Sequence, residues 1–202
     1  MTGDDLYSTA IHESGHAVLA ELLYMDPEYV TIEPTDKFYG HLRRRFPALS
    51  ATERWRELLV VCAGVEAEGV HGVYPAEDLE LPDDEWTDSG RLWASLQMHS
   101  DSPGQQWEWF TLAVSQTRRI LSNPAVWRSV ESLAARLLEA RTLDRGEAAD
   151  AIRDGLRRSK WERDRFQMGN RYACPPQNWI ESREEYRQME EAVAAYAAGR
   201  AK

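Results

Sequence analysis

The chain has 202 residues, 43% of them hydrophobic and 29% charged, with a formal net charge of −10. That length builds one domain with a proper core, or one domain and a small appendage, and the acidic balance argues against nucleic acid as the main partner, because phosphate binding needs a basic face. No apolar run approaches the roughly 18 residues of a membrane span, the N-terminus lacks the basic and apolar regions of a secretory signal, and two widely separated cysteines, Cys62 and Cys174, point to a reducing cytoplasm and not to a disulfide framework.

The first predicted helix begins between Leu6 and Ser8 and runs to about Tyr24. It carries Ile11, Ala17, Val18, Ala20, Leu22 and Leu23 at dense helical spacing, and Asp26-Pro27 ends it. Residues 29–32 have β character and are closed by Pro34. Residues 39–46 form a second extended piece, polar enough for an exposed or edge strand. Ser50, with Glu53 after it, has the spacing of a capping box and opens a helix to about Val70. Residues 74–88 are acidic and proline-containing, which predicts a loop. A helix opens near Thr87 with Leu92, Trp93 and Leu96 as its apolar positions, and residues 100–104 break it. Further helices are expected over residues 105–121, from Pro124 behind an Asn123 N-cap to about Arg141, and within residues 142–156, starting near Leu143 or Asp144. From residue 159 the character changes: the tail is charged, contains Cys174-Pro175-Pro176 and ends in a predicted helix over residues 181–198, with Tyr186, Met189, Val193 and Tyr196 as an apolar stripe. The expected fold class is mainly α (α+β), with a small β element after the first helix.

Within the first helix, His12-Glu13-Ser14-Gly15-His16 sets two histidines at positions i and i+4. Those positions share one helix face, so two imidazoles can reach one metal ion. Zinc takes nitrogen ligands at about 2.0–2.1 Å in tetrahedral geometry, and a catalytic site leaves one position for water. Glu13 stands beside the first histidine as the candidate general base, taking the water's proton during attack on a carbonyl and passing it to the leaving amine. The same pentapeptide also arises by chance on amphipathic helices. Against chance stands Gly15, since a mid-helix glycine costs about 1 kcal/mol relative to alanine and suggests close packing or metal-site geometry.

Residues 10–18, Ala-Ile-His-Glu-Ser-Gly-His-Ala-Val, resemble the metal-binding helix of the FtsH-type membrane-anchored AAA proteases, whose pattern is HEAGHA. Asp26-Pro27, Val30-Thr31-Ile32-Glu33-Pro34, Gly40 and Phe46-Pro47 are similar to the strand pair that follows that helix in the family. Residues 63–68, Ala-Gly-Val-Glu-Ala-Glu, resemble its GGRAAE helix. Residues 117–152, with Leu133-Ala134, Leu137-Leu138-Glu139 and Thr142-Leu143, resemble the end of its protease domain. The similarity runs in order over about residues 6–157. It implies an FtsH-like zinc metallopeptidase domain over residues 1–157 and a C-terminal helical extension over residues 158–202.

The resemblance implies zinc as the cofactor, His12 and His16 as ligands and Glu13 as the catalytic residue. The family's third ligand is an aspartate opening a helix in a segment like ASNDLEQAT. Asp88, in Trp86-Thr87-Asp88-Ser89-Gly90, occupies the corresponding place, although no asparagine precedes it and Gly90 departs from the pattern; Asp83 and Asp84 are alternatives. Glu68 matches the family's glutamate and is expected to orient a ligand histidine. Gly40, His41 and Leu42, on the edge strand, are the implied substrate-binding positions. No G-x-x-x-x-G-K-[ST] phosphate loop occurs in these 202 residues, so the implied activity is ATP-independent hydrolysis of peptides or unfolded segments.

Other features have plainer readings. His71 closes a helix, and His99 lies too far along the Asp88 helix to share its metal. Arg43, Arg44 and Arg45 alternate faces on a strand and suit a solvated edge. The tail stripe is expected to dock on the domain itself, with a homo-oligomer or a separate partner as the other occupants. A rival functional class is a peptidase-fold binding or regulatory module that retains zinc without useful turnover, a reading motivated by the divergent aspartate segment.

Overall fold

The computed structural model describes residues 3–25, 27–34, 41–44, 50–71, 87–155 and 173–180. Helix α1 (Gly3–Leu22) is the axis of the fold. Ala10, Ile11, Ala17, Val18, Leu19 and Ala20 are all fully buried. They point in several directions around the helix, as in a helix enclosed by its neighbours and not laid on a surface. Strand β1 (Pro27–Thr31) and strand β2 (His41–Arg44) follow, and then helix α2 (Ala51–His71), the most extensive packing partner of α1.

The start of α2 is the expected capping box. The Ser50 N–H donates to Glu53 Oε2 at 2.8 Å, and the Glu53 N–H donates to Ser50 Oγ at 3.2 Å. Gly15 explains how closely α1 and α2 approach. A Cβ at that position would overlap the Ala63 carbonyl oxygen and stand 2.8 Å from the Ala67 Cβ. The mid-helix glycine therefore brings in burial that outweighs its poor helix propensity.

Helices α3 (Asp88–His99), α4 (Pro103–Leu121) and α5 (Pro124–Ala140) come next. Each has a side-chain N-cap. Thr87 Oγ1 accepts from the Gly90 N–H at 3.1 Å, Ser102 Oγ from the Gln105 N–H at 3.4 Å, and Asn123 Oδ1 from the Ala125 N–H at 2.9 Å. Pro103 and Pro124 take first-turn positions, where their missing N–H is no loss.

Helix α6 (Arg145–Gly155) begins just after the expected start near Leu143 or Asp144, and Thr142–Asp144, immediately before it, is an unexpected strand, β3. The sheet is antiparallel in the order β2-β1-β3, with Val30 opposite Leu42 on one side and Leu143 on the other. Two local devices make the strand. Arg141 closes α5 with φ 65° and accepts the Ile32 N–H on its carbonyl at 2.8 Å, which turns the chain alongside β1. Asp144 and Glu147 then form a reciprocal capping pair at 2.9 and 3.0 Å that starts α6.

Helix α7 (Gln177–Ile180) carries Trp179, fully buried, with its ring 5.2 Å from that of Trp55 and 5.0 Å from that of Trp109. Its indole N–H donates to the Ala51 carbonyl at 3.0 Å. Part of the tail thus completes the core between α2 and α4. The helix expected over residues 181–198, and the apolar stripe on it, lie outside the described residues. The protein is mainly helical with a small antiparallel sheet, and no described helix is long and apolar enough to cross a membrane.

Candidate metal centre

His12 and His16 sit one turn apart on α1, with their Nε2 atoms 3.0 Å from each other and their rings edge to face at 79°. Asp88 opens α3 just after the Thr87 cap, where a carboxylate is favoured by the helix dipole. Its Oδ2 lies 2.9 Å from His12 Nε2 and 2.8 Å from His16 Nε2. These three residues could hold a metal ion, and they are the one such group found among the described residues.

The far ring nitrogens decide what the site accepts. His16 Nδ1 is 2.6 Å from the Val60 carbonyl, which can only accept, so Nδ1 carries the proton. His12 Nδ1 donates to Glu68 Oε2 at 3.2 Å, and Ser8 Oγ donates to Glu68 Oε1 at 2.7 Å. In their neutral forms both histidines therefore turn an Nε2 lone pair toward Asp88 Oδ2. Three acceptors within 3.0 Å of one another repel unless a cation lies among them. A zinc tetrahedron with bonds of about 2.0–2.1 Å has edges near 3.3 Å, a few tenths of an ångström wider than this triangle. The donor set, two imidazoles and a carboxylate, suits zinc.

Protons are the alternative occupants. Burial opposes charge on His12, but hydrogen bonds to Asp88 and Glu68 and the charge of Asp88 outweigh it and push its pKa up to about 10. His16 is raised as well: burial again opposes, and the charge and hydrogen bond of Asp88 win. Burial likewise works against the Asp88 carboxylate, yet the His16 charge and the hydrogen bonds from both histidines hold it well below the usual range. Without a metal, two N–H groups must be aimed at one oxygen.

Glu13 is 5% exposed, and its Oε2 has no hydrogen-bond partner among the described residues. Burial pushes its carboxyl pKa up, against the pull of His16 and His12. Such a group takes and returns a proton more readily near neutrality than a solvated glutamate does. Cys62 lines the same small cavity as Asp88, along with Val61, Val65 and Leu92. Burial, followed by the charges of Glu66 and Asp88, drives its thiol pKa up, which disfavours the thiolate a metal would require.

His12, His16 and Asp88 come together, Glu13 flanks the first of them, and Glu68 meets the outer nitrogen of His12. Asp83, Asp84 and Gly40 lie outside the described residues. His41 and Leu42 are on β2, opposite Thr31 and Val30, in one of the two outer strands of the described sheet. His71 is exposed at the end of α2, with its ring 5.1 Å from that of Tyr7. His99 is buried and stacked on Trp179 at 3.7 Å, outside the metal group. Sequence reasoning missed Ser8 and Val60. Ser8 is one turn before His12 on the same face, which was a usable signal; Val60 contributes a backbone atom, which side-chain identity does not encode.

Comparison of the chain with protein-family models and with curated proteins yields no match.

Proposed function

We propose that the chain is a zinc metallopeptidase with a fold of the FtsH protease type, hydrolysing peptide bonds in peptides or unfolded segments. The observation that carries the reading is the convergence of His12 Nε2, His16 Nε2 and Asp88 Oδ2 within 3.0 Å, with the buried Glu13 carboxylate on the same helix turn. When bound, zinc supplies Lewis-acid polarisation of a carbonyl and an acidified water. The rest falls to the chain itself. His12, His16 and Asp88 hold the ion, and Glu68 and the Val60 carbonyl fix the two rings in the tautomer that presents Nε2. Glu13, buried beside His12, accepts a proton at its carboxylate and returns it to the leaving amine. The ordered similarity over residues 6–157 supports a peptide as the substrate.

The test is metal analysis of protein purified without added metal, together with digestion of a peptide library by the parent and by Glu13→Gln. The expected result is one zinc per chain in both and a loss of cleavage of roughly 10²–10⁴-fold in the variant. Absence of zinc sinks the metal reading. If the zinc-loaded parent and Glu13→Gln are equally inert on the library, the zinc-retaining binding module replaces the enzyme; the divergence around Asp88 is what favours that second reading.

A further inference from the structure

Gly64 lies on α2 where that helix faces the two metal-directed rings. A Cβ at this position would overlap His12 Nε2 and stand 2.5 Å from His16 Nε2 and 2.6 Å from His12 Cε1. All three are atoms of the ring edges that converge on Asp88. Neither ring can easily retreat, because each is tethered through its other nitrogen: His12 to Glu68 at 3.2 Å and His16 to the Val60 carbonyl at 2.6 Å. The neighbouring small residues Ala63 and Ala67 answer a different glycine, Gly15, and serve the approach of the helices. The two glycines thus have separate physical tasks, although both lie in the α1–α2 interface.

We infer that Gly64 is a positioning residue of the metal centre: the absence of a side chain there is what allows both histidine nitrogens to share one cation with Asp88. The inference rests on the metal reading above. Any Cβ at position 64 displaces the ligand rings first, since the nearest atoms it meets are Nε2 of both rings and Cε1 of His12, and not backbone of the facing helix. A structural role alone would make Gly64 resemble Gly15, whose Cβ meets a carbonyl oxygen of the opposing helix.

The experiment uses the full chain as parent, Gly64→Ala, His12→Ala and the double variant. Zinc affinity is measured by chelator competition, the visible spectrum of the cobalt-substituted protein is recorded, and thermal midpoints are taken with metal removed. Gly64→Ala should bind zinc at least about 10-fold more weakly, the lower end of what lost outer support does to a metal site, with altered cobalt bands. In the metal-free proteins, the drop in midpoint caused by Gly64→Ala should shrink in the His12→Ala background, because two of the three blocked contacts belong to His12. Zinc affinity within threefold of the parent and an unchanged cobalt spectrum would overturn the inference. If Gly64→Ala fails to fold, rescue by His12→Ala supports it, and equal failure of the double variant overturns it in favour of plain helix packing. A parent that binds neither zinc nor cobalt refutes the metal reading itself, an outcome distinct from a Gly64 variant that binds normally.

Discussion

His12 and Glu68 are 56 residues apart in sequence, yet Nδ1 of the one donates to Oε2 of the other at 3.2 Å. The bond does two things at once. It fixes the tautomer that leaves Nε2 free for metal, and it makes that nitrogen a better donor by placing negative charge behind the ring. Burial works against the Glu68 carboxylate, but the hydrogen bond and charge of His12 and the Ser8 hydroxyl hold its pKa below the ordinary value. Glu68→Ala should therefore weaken zinc binding by about 10–100-fold while leaving one site per chain. Glu68→Gln, which can still accept from Nδ1, should fall between that variant and the parent. Chelator competition measures both, and an unchanged affinity in Glu68→Ala would remove Glu68 from the site.

The metal-free protein should lose stability as the pH rises. His12 is raised from 6.5 to about 10 in the folded state, so its contribution is fully present below about pH 6.5 and disappears as the pH climbs through 10. Asp88 is lowered, so its contribution is present above 3.8 and is lost as the pH falls further. Both effects draw on the one contact between His12 and Asp88. A metal held there competes with the same protons, so zinc binding should strengthen over the range in which the metal-free protein weakens. The gap between the thermal midpoints in zinc and in chelator should widen from about pH 6 to about pH 8.5. A gap that is constant or shrinks with pH contradicts the proton-for-metal exchange.

The two cysteines should differ sharply in reactivity. Cys62 is 5% exposed with its thiol pKa driven up by burial and by the nearby Glu66 and Asp88, whereas Cys174 is exposed. A thiol reagent at neutral pH should titrate Cys174 in the native protein and reach Cys62 only on unfolding. Because Cys62 shares a cavity wall with Asp88 without serving as a ligand, Cys62→Ala should keep the parental zinc stoichiometry. Loss of zinc in that variant would mean that the donor set has been misassigned.

Much of this was readable from residues. The i, i+4 histidines needed only helical periodicity, and Ser50 with Glu53 and Asn123 with Pro124 announced their helices through local capping chemistry that does not depend on the rest of the fold. Asp88 was harder, because an aspartate at a helix start has the same local signature whether it binds a metal or merely faces the dipole; only its meeting with His12 and His16 separates the two. Strand β3 escaped because three residues carry no measurable period and are followed at once by a good helix cap. Gly64 escaped for a related reason. What makes it special is the position of two rings on another helix, and nothing in its own neighbours records that.

Trp179 is fully buried. This residue belongs to a four-residue helix, too short to form by itself, so its order derives from the socket that receives it. That socket is made of Trp55 on α2, Trp109 on α4 and His99 at the end of α3, with the ring centroid of His99 3.7 Å from that of Trp179. The Trp109 indole N–H also donates to Asn178 Oδ1 at 3.0 Å, and Gln116 Nε2 donates to the Cys174 carbonyl at 3.2 Å, so the segment is held by polar contacts along its length. Trp179→Ala should lower unfolding stability by about 3–5 kcal/mol, the usual range for a buried tryptophan reduced to alanine. Trp179→Phe keeps most of the ring contacts and loses the bond to the Ala51 carbonyl, which keeps its partner inside α2, so it should be milder, with about 0.5–1.5 kcal/mol from the lost hydrogen bond. Zinc affinity should be unchanged in whichever variant remains folded, because His12, His16 and Asp88 are not among the residues of this socket. Urea unfolding checks the first claim and chelator competition the second; a Trp179→Ala protein as stable as the parent would show that residues 173–180 rest on the domain without supporting it.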